Sequence, residues 1–252
     1  MNRGITIFAL IAAGIVAASS CTDVPTEPDA VLSLSFDSLP SPSVVLGDTL
    51  RDSTGTARRL FATVFNFQGE VIPNVPVVFS SPDRGVRLDA ATGFVIGDSL
   101  RSTPARIVAT VGNLQASLLL DVALRPDTVA ASNGRDSLSY SLTDTTRNVS
   151  PTLSVRVLHG LATTDSAVKS YVVSFALANP SNTGLATLVN DANRPSLVDT
   201  TDATGVAGRK IRIDPARLTA LVDSVIVQAT VKYRGTAVRG SPVRLVLRVK
   251  PG

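Results

Sequence analysis

The side chains that most often build reaction centres are nearly missing from this chain. Its 252 residues include one cysteine, one histidine, one methionine and no tryptophan. One thiol and one imidazole cannot assemble a four-ligand zinc site. No disulfide can close within the chain, so its stability must come from apolar burial and sheet hydrogen bonds. A serine nucleophile would have only His159 to take its proton. Glutamate is as scarce: Glu27 and Glu70 are the only two, and Glu27 lies in a Pro/Thr-rich N-terminal stretch. A carboxylate pair for glycoside hydrolysis would have to come from aspartates and Glu70. Long apolar runs are also rare. The one at residues 5–18 is too short for a permanent membrane-spanning helix, which wants about 20 residues.

What is abundant is Val, Leu, Ser and Thr, with 15 prolines and 17 glycines punctuating them. Apolar residues alternate with polar ones almost everywhere, and a helical period is almost nowhere to be found. The clearest case is 114–124, where Leu114, Ala116, Leu118, Leu120, Val122 and Leu124 share one face. Ala105, Ile107, Ala109 and Val111 alternate in the same way just before it, and Gly112-Asn113 supplies a two-residue turn, so a hairpin is expected. Further strands are expected at 60–67 and 75–80, and shorter ones at 31–36, 44–46, 86–88 and 94–96. Pro73 and Pro76 confine their neighbours to an edge or a strand start. This spacing predicts an all-β chain built of β-sandwiches.

The N-terminus has the make-up of an export signal: Arg3, then the apolar run, then small residues up to Cys21. The segment Ala18-Ser19-Ser20-Cys21 resembles the lipobox of bacterial lipoprotein precursors, with Ala18 where a leucine is usual. The resemblance implies cleavage before Cys21, a covalent lipid on that residue as the only prosthetic group, and anchorage to a membrane. Cleavage at an ordinary signal-peptidase site, or an uncleaved anchor, would export the chain as well. Thr22 stands where an aspartate would resemble the inner-membrane retention signal, which points to the outer membrane. Residues 21–30 then read as an acidic tether.

The remainder divides into 31–124, a linker at 125–128 around Arg125-Pro126-Asp127, and 129–252. The second part echoes the first. Val77-Val78-Phe79-Ser80 returns as Val172-Val173-Ser174-Phe175, Thr92-Gly93 as Thr204-Gly205, and Ala109-Thr110-Val111 as Ala229-Thr230-Val231. These landmarks, with Gly69 to Phe79 in the first copy and Thr201-Asp202-Ala203-Thr204-Gly205 in the second, look like bacterial immunoglobulin-like repeats of the invasin and intimin type. The resemblance implies two tandem immunoglobulin-like β-sandwiches, and a structural, spacer or adhesive role without catalysis. Such folds host many roles, so function must be sought on outward faces and loops.

Gly97-Asp98-Ser99-Leu100 spells the nucleophile block of a serine hydrolase group, but the matching Asp-x-x-His block is absent: Arg156 precedes His159 at that spacing. Asn190, Asp191, Asn193, Asp199 and Asp202 offer oxygen ligands for calcium, although their spacing departs from the regular calcium loop and Asx-turns account for them equally. Charge is uneven. Residues 125–252 carry sixteen Lys and Arg against nine Asp. Strand alternation places Lys210, Arg212, Lys232, Arg234, Arg244, Arg248 and Lys250 outward, a candidate face for anionic envelope glycans. A solvated face, with an edge protected from aggregation by charge, is the other reading of the same residues. Docking to a larger envelope assembly through a bare sheet edge is a third expectation. No nucleic-acid partner is expected, since aromatic platforms are lacking.

Overall fold

The structure is a computed structural model, and residues 30–160, 166–179, 184–217 and 223–252 are described. The signal segment, Cys21 and all of the tether except Ala30 lie outside the described residues. The chain forms two tandem immunoglobulin-like β-sandwiches, each with its own apolar core.

In the first, β1 (Ser33–Phe36) runs antiparallel to β3 (Ala62–Phe65), while β2 (Ser43–Val45), β4 (Val78–Ser80), β7 (Ala105–Val111) and β8 (Leu114–Ala123) form a sheet in the order β2-β8-β7-β4. A third pair joins β5 (Val86–Leu88) to β6 (Val95–Gly97). The expected hairpin is β7–β8, and its turn needs Gly112, whose φ is +54°. Alternation becomes burial here: Ile107, Ala109, Leu120 and Val122, with Val44 beside them in the same sheet, pack with Leu60 and Val95 in one core.

The second sandwich is larger. One sheet has the order β10 (Arg135–Tyr140), β20 (Val243–Pro251), β17 (Ser224–Thr230), β13 (Val172–Asn179), β15 (Val198–Thr200). The other contains β9 (Thr128–Asn133), β11 (Leu153–His159), β12 (Ser166–Ala167), β14 (Ala186–Val189) and β16 (Val206–Ile213). A small ribbon, β18 (Lys232–Tyr233) and β19 (Thr236–Ala237), extends the connection from β17 to β20. The inward positions Val225, Val227, Ala229 and Val231, with Leu245, Leu247 and Val249, are all buried.

The two copies share more than outline. In both, the first strand is split. β1 pairs antiparallel with β3 before β2 crosses to lie parallel to β8, and β9 pairs antiparallel with β11 before β10 crosses to lie parallel to β20. Phe79 sits opposite Ala109, and Phe175 opposite Ala229, in the same antiparallel register. Gly93 and Gly205, at φ +72° and +78°, each offer a carbonyl to the strand beside them, to Leu60 N and Val157 N, both at 2.8 Å. A Cβ on Gly205 would lie 2.6 Å from the Val157 carbonyl oxygen, so this turn requires glycine.

They differ beyond that turn. β16 continues beside β11, whereas in the first sandwich Leu50 wedges in, donating to Val95 O and accepting from Arg58 N. On the same edge of β3, Leu60 meets Gly93 and Val64 meets Ile72, leaving the Ala62 backbone between them without a partner among the described residues.

Leu245 is fully buried in β20, between β10 and β17. Leu245→Ala is expected to cost about 2–5 kcal/mol in denaturant unfolding. Ser137→Ala on the outer face of the same sheet should stay within about 0.5 kcal/mol; equal effects would contradict this assignment of faces.

Candidate functional site

A buried carboxylate with four hydrogen-bond donors lies where the two sandwiches meet. Asp48 follows β2 and is only 4% exposed. Its Oδ1 and Oδ2 accept from Arg51 Nη2 and Nε, both at 3.0 Å, and Oδ1 accepts from Thr49 N at 2.8 Å. Arg234 of the second sandwich donates from Nε to Oδ2 at 2.9 Å. Burial alone would raise the Asp48 carboxyl. The hydrogen bonds from Arg234, Arg51 and Thr49 outweigh burial and hold it well below the usual carboxylate range. Burial and this carboxylate together push the neighbouring Tyr233 hydroxyl up.

Local backbone geometry sets up the contact. Arg234 and Gly235 occupy the left-handed region at φ +50° and +80°, which turns the guanidinium back over the Tyr233 ring, 5.3 Å from its centroid. Opposite them lies Gly55, at φ +89°, where any Cβ would overlap the Arg234–Gly235 backbone. Arg51 Nη1 holds the Gly55 carbonyl at 2.9 Å, so one arginine braces both the carboxylate and the turn.

A second clamp lies across the same junction. Asp121 on β8 accepts from Lys169 Nζ at 3.2 Å and from Ser170 Oγ at 2.5 Å, while Ser43 Oγ donates to the Ser170 carbonyl at 2.6 Å. The linker is held as well. Asp127 Oδ2 accepts from Gly160 N at 2.9 Å and lies 2.8 Å from His159 Nδ1, and Asp127 Oδ1 accepts from Arg125 Nε at 2.7 Å. His159, at the end of β11, thus braces the linker through Asp127. Between the clamps is a cleft of about 260 Å³ with Ser41, Ser43, Tyr171, Ser174 and Lys232 on its walls. Its Tyr171 hydroxyl donates to Lys232 O at 2.6 Å, and burial pushes its pKa up. Nothing in the cleft offers an imidazole, and its acids Asp48 and Asp52 are committed to arginines.

The seven basic residues expected on one face are divided by the fold. Lys210 and Arg212 lie on β16 in the opposite sheet, bound to Asp191 at 3.0 Å and to Asn193 O at 2.8 Å. Arg234 is spent on Asp48, and Lys232 stands at the cleft. Only Arg244, Arg248 and Lys250 share the outer face of β20, because β18 leaves the sheet that β17 belongs to. The calcium candidates are likewise kept apart: Asp191 pairs with Lys210, Asp199 with Arg209 at 3.0 Å, and Asp202 accepts from Thr204 N and Val206 N within its own turn. Among the described residues, no three His, Cys, Asp or Glu are grouped as metal ligands. Glu70 closes a turn with Asn66 at 3.2 Å, and Asp98 donates its backbone N–H to Gly85 O at 2.8 Å beside Ser99.

Sequence reasoning did not find Asp48, Arg51, Asp121, Lys169 and Ser170. The one local signal for the joint was Tyr233-Arg234-Gly235, a turn sequence with a cation at its tip.

No protein-family model and no curated protein matches this chain. Among solved structures, domains 4 and 5 of the S-layer protein SbsC are 13% identical with a TM-score of 0.31, covering 87% of this chain and 98% of that one. Human protocadherin-24 EC1-2 is 14% identical with a TM-score of 0.29, covering 88% and 100%. Neither likeness is close enough to bear on activity.

Because Asp48 is neutralised from both sides of the junction, Asp48→Ala and Gly55→Val should each uncouple the sandwiches, at a cost of about 1–3 kcal/mol. In scanning calorimetry the parent chain is expected to unfold in one transition and the variants in two. A single unchanged transition in both variants would contradict a coupled joint.

Proposed function

We propose that this chain is an exported, lipid-anchored cell-envelope protein whose two sandwiches act as a stiff, non-catalytic spacer that presents its far end to a partner. The observation that carries this reading is the joint: two carboxylates, Asp48 and Asp121, each bonded to cations or hydroxyls of the other sandwich, resist bending at the one place where a tandem chain would hinge. The cleft there lacks a nucleophile–base pair, in keeping with a role in positioning. No helix among the described residues is long and apolar enough to cross a membrane. The lipobox-like segment supplies the anchor in this reading, with Cys21 carrying the lipid and the outer membrane as its place. Cys21→Ala tests it directly. The parent should incorporate labelled palmitate and sediment with membranes, and the variant should do neither; sedimentation of the variant with membranes as before would overturn lipid anchorage.

A second reading, an accessory subunit docking through a sheet edge, draws on the open backbone pair at Ala62. Exposed Phe61 and Val71 flank it, and they would pack on an added extended strand. A photo-crosslinker at Phe61 should then capture a single envelope protein, and Ala62→Pro should abolish that product. No product from intact cells would retire the edge.

A further inference from the structure

We infer that the outer face of β10 and β20 is a binding stripe for a linear polyanionic glycan, formed by Arg135, Arg244, Arg248 and Lys250. The fold brings Arg135 to this face from a distant part of the chain: β10 runs parallel to β20, with Arg135 beside Val246, Ser137 beside Arg248 and Ser139 beside Lys250. Register partners in adjacent strands share a face, so the four cations occupy two neighbouring strands about 4.8 Å apart, over a length of about 20 Å. All four are exposed, and none has a side-chain hydrogen bond or ion pair among the described residues. That distinguishes them from Lys210, Arg212 and Arg234, each of which is committed to a partner.

The nearby carboxylates do not neutralise the stripe. Asp136 turns the other way, where Asn133 Nδ2 holds it at 3.1 Å, and Asp223, at the sheet margin, is bonded by Ser224 Oγ at 3.1 Å. Between the cations the face carries Val246 on β20 itself, with Ser137 and Ser139 on one side of it and Ser224, Ile226 and Gln228 on the other. No aromatic side chain stands on this run of positions, so neutral sugar rings have nothing to stack on and recognition must proceed through charge. The same lack of an aromatic anchor disfavours a protein partner. A flat, elongated row of free guanidiniums and an ammonium suits an extended polymer with repeated carboxylates or phosphates. The stripe does not depend on a stiff joint, since both its strands belong to the second sandwich.

The test uses the full chain in neutral detergent, with polygalacturonate as probe and neutral dextran as blank, across a salt series. The parent should bind polygalacturonate with an affinity that falls steeply with salt, and should ignore dextran. Joint replacement of Arg135, Arg244, Arg248 and Lys250 by Gln should weaken binding by about tenfold or more, if each cation contributes a few tenths of a kcal/mol. A control with the same charge removed elsewhere, Arg59, Arg84, Arg87 and Arg106 to Gln, should bind within about twofold of the parent. Arg248→Gln alone, folded by circular dichroism, should show a smaller loss and guards against misfolding of the fourfold variant. Equal losses in stripe and control variants would reduce the effect to net charge and overturn the site. So would salt-insensitive binding, or stripe-dependent binding to anionic vesicles without binding to polygalacturonate.

Discussion

One carboxylate has to be neutralised from two directions. Asp48 is buried at the meeting of the sandwiches, where an unpaired charge would be costly. Arg51 satisfies it from within the first sandwich and Arg234 from the second. Separation of the sandwiches would remove one of those partners and expose the polar face of the other to rearrangement. The glycines at 55 and 235 let two backbone turns approach closely enough for that bond to form. Asp121, Lys169 and Ser170 repeat the logic across the junction, and the Asp127–His159 contact fixes the strap that joins the halves. Because Asp48 is held far on the acidic side of its ordinary range, its own carboxylate stays charged at any pH near neutrality.

Stability within each sandwich has a simpler source. With one cysteine the chain has no internal cross-link, and the cores rest on alternating aliphatic residues with few aromatics. Each fully buried Val, Leu or Ile contributes about 1.5–3 kcal/mol relative to exposure. Loops can then vary around a core whose inward positions are set by strand period alone. The cation stripe on β10 and β20 lies on outward positions, where that constraint is weakest.

The fold was legible because its signals are local. Period-two alternation marked the strands and Gly112 marked the hairpin, while the echo of 77–80 in 172–175 was one residue out of step, since Phe79–Ala109 and Phe175–Ala229 are the matching cross-strand pairs. The site was much less legible. Asp48 and Arg234 are 186 positions apart, and no pattern in either stretch announces the other. Outward alternation identified Arg244, Arg248 and Lys250 correctly as exposed, but alternation does not say which sheet a strand joins. It therefore grouped them with Lys210 and Arg212 from the opposite sheet, and it missed Arg135, which reaches β20 through a parallel pairing. Strand order is a tertiary property, and here it decides which cations stand together.

A stiff joint requires the two sandwiches to move as one body. Residual dipolar couplings, measured separately for residues of the first and second sandwich, report on this directly. A rigid joint predicts a single alignment tensor that fits both sets with the orientation seen here. Two tensors differing in magnitude or direction would show a hinge at Asp48 and Arg234, and would remove the basis for a stiff spacer.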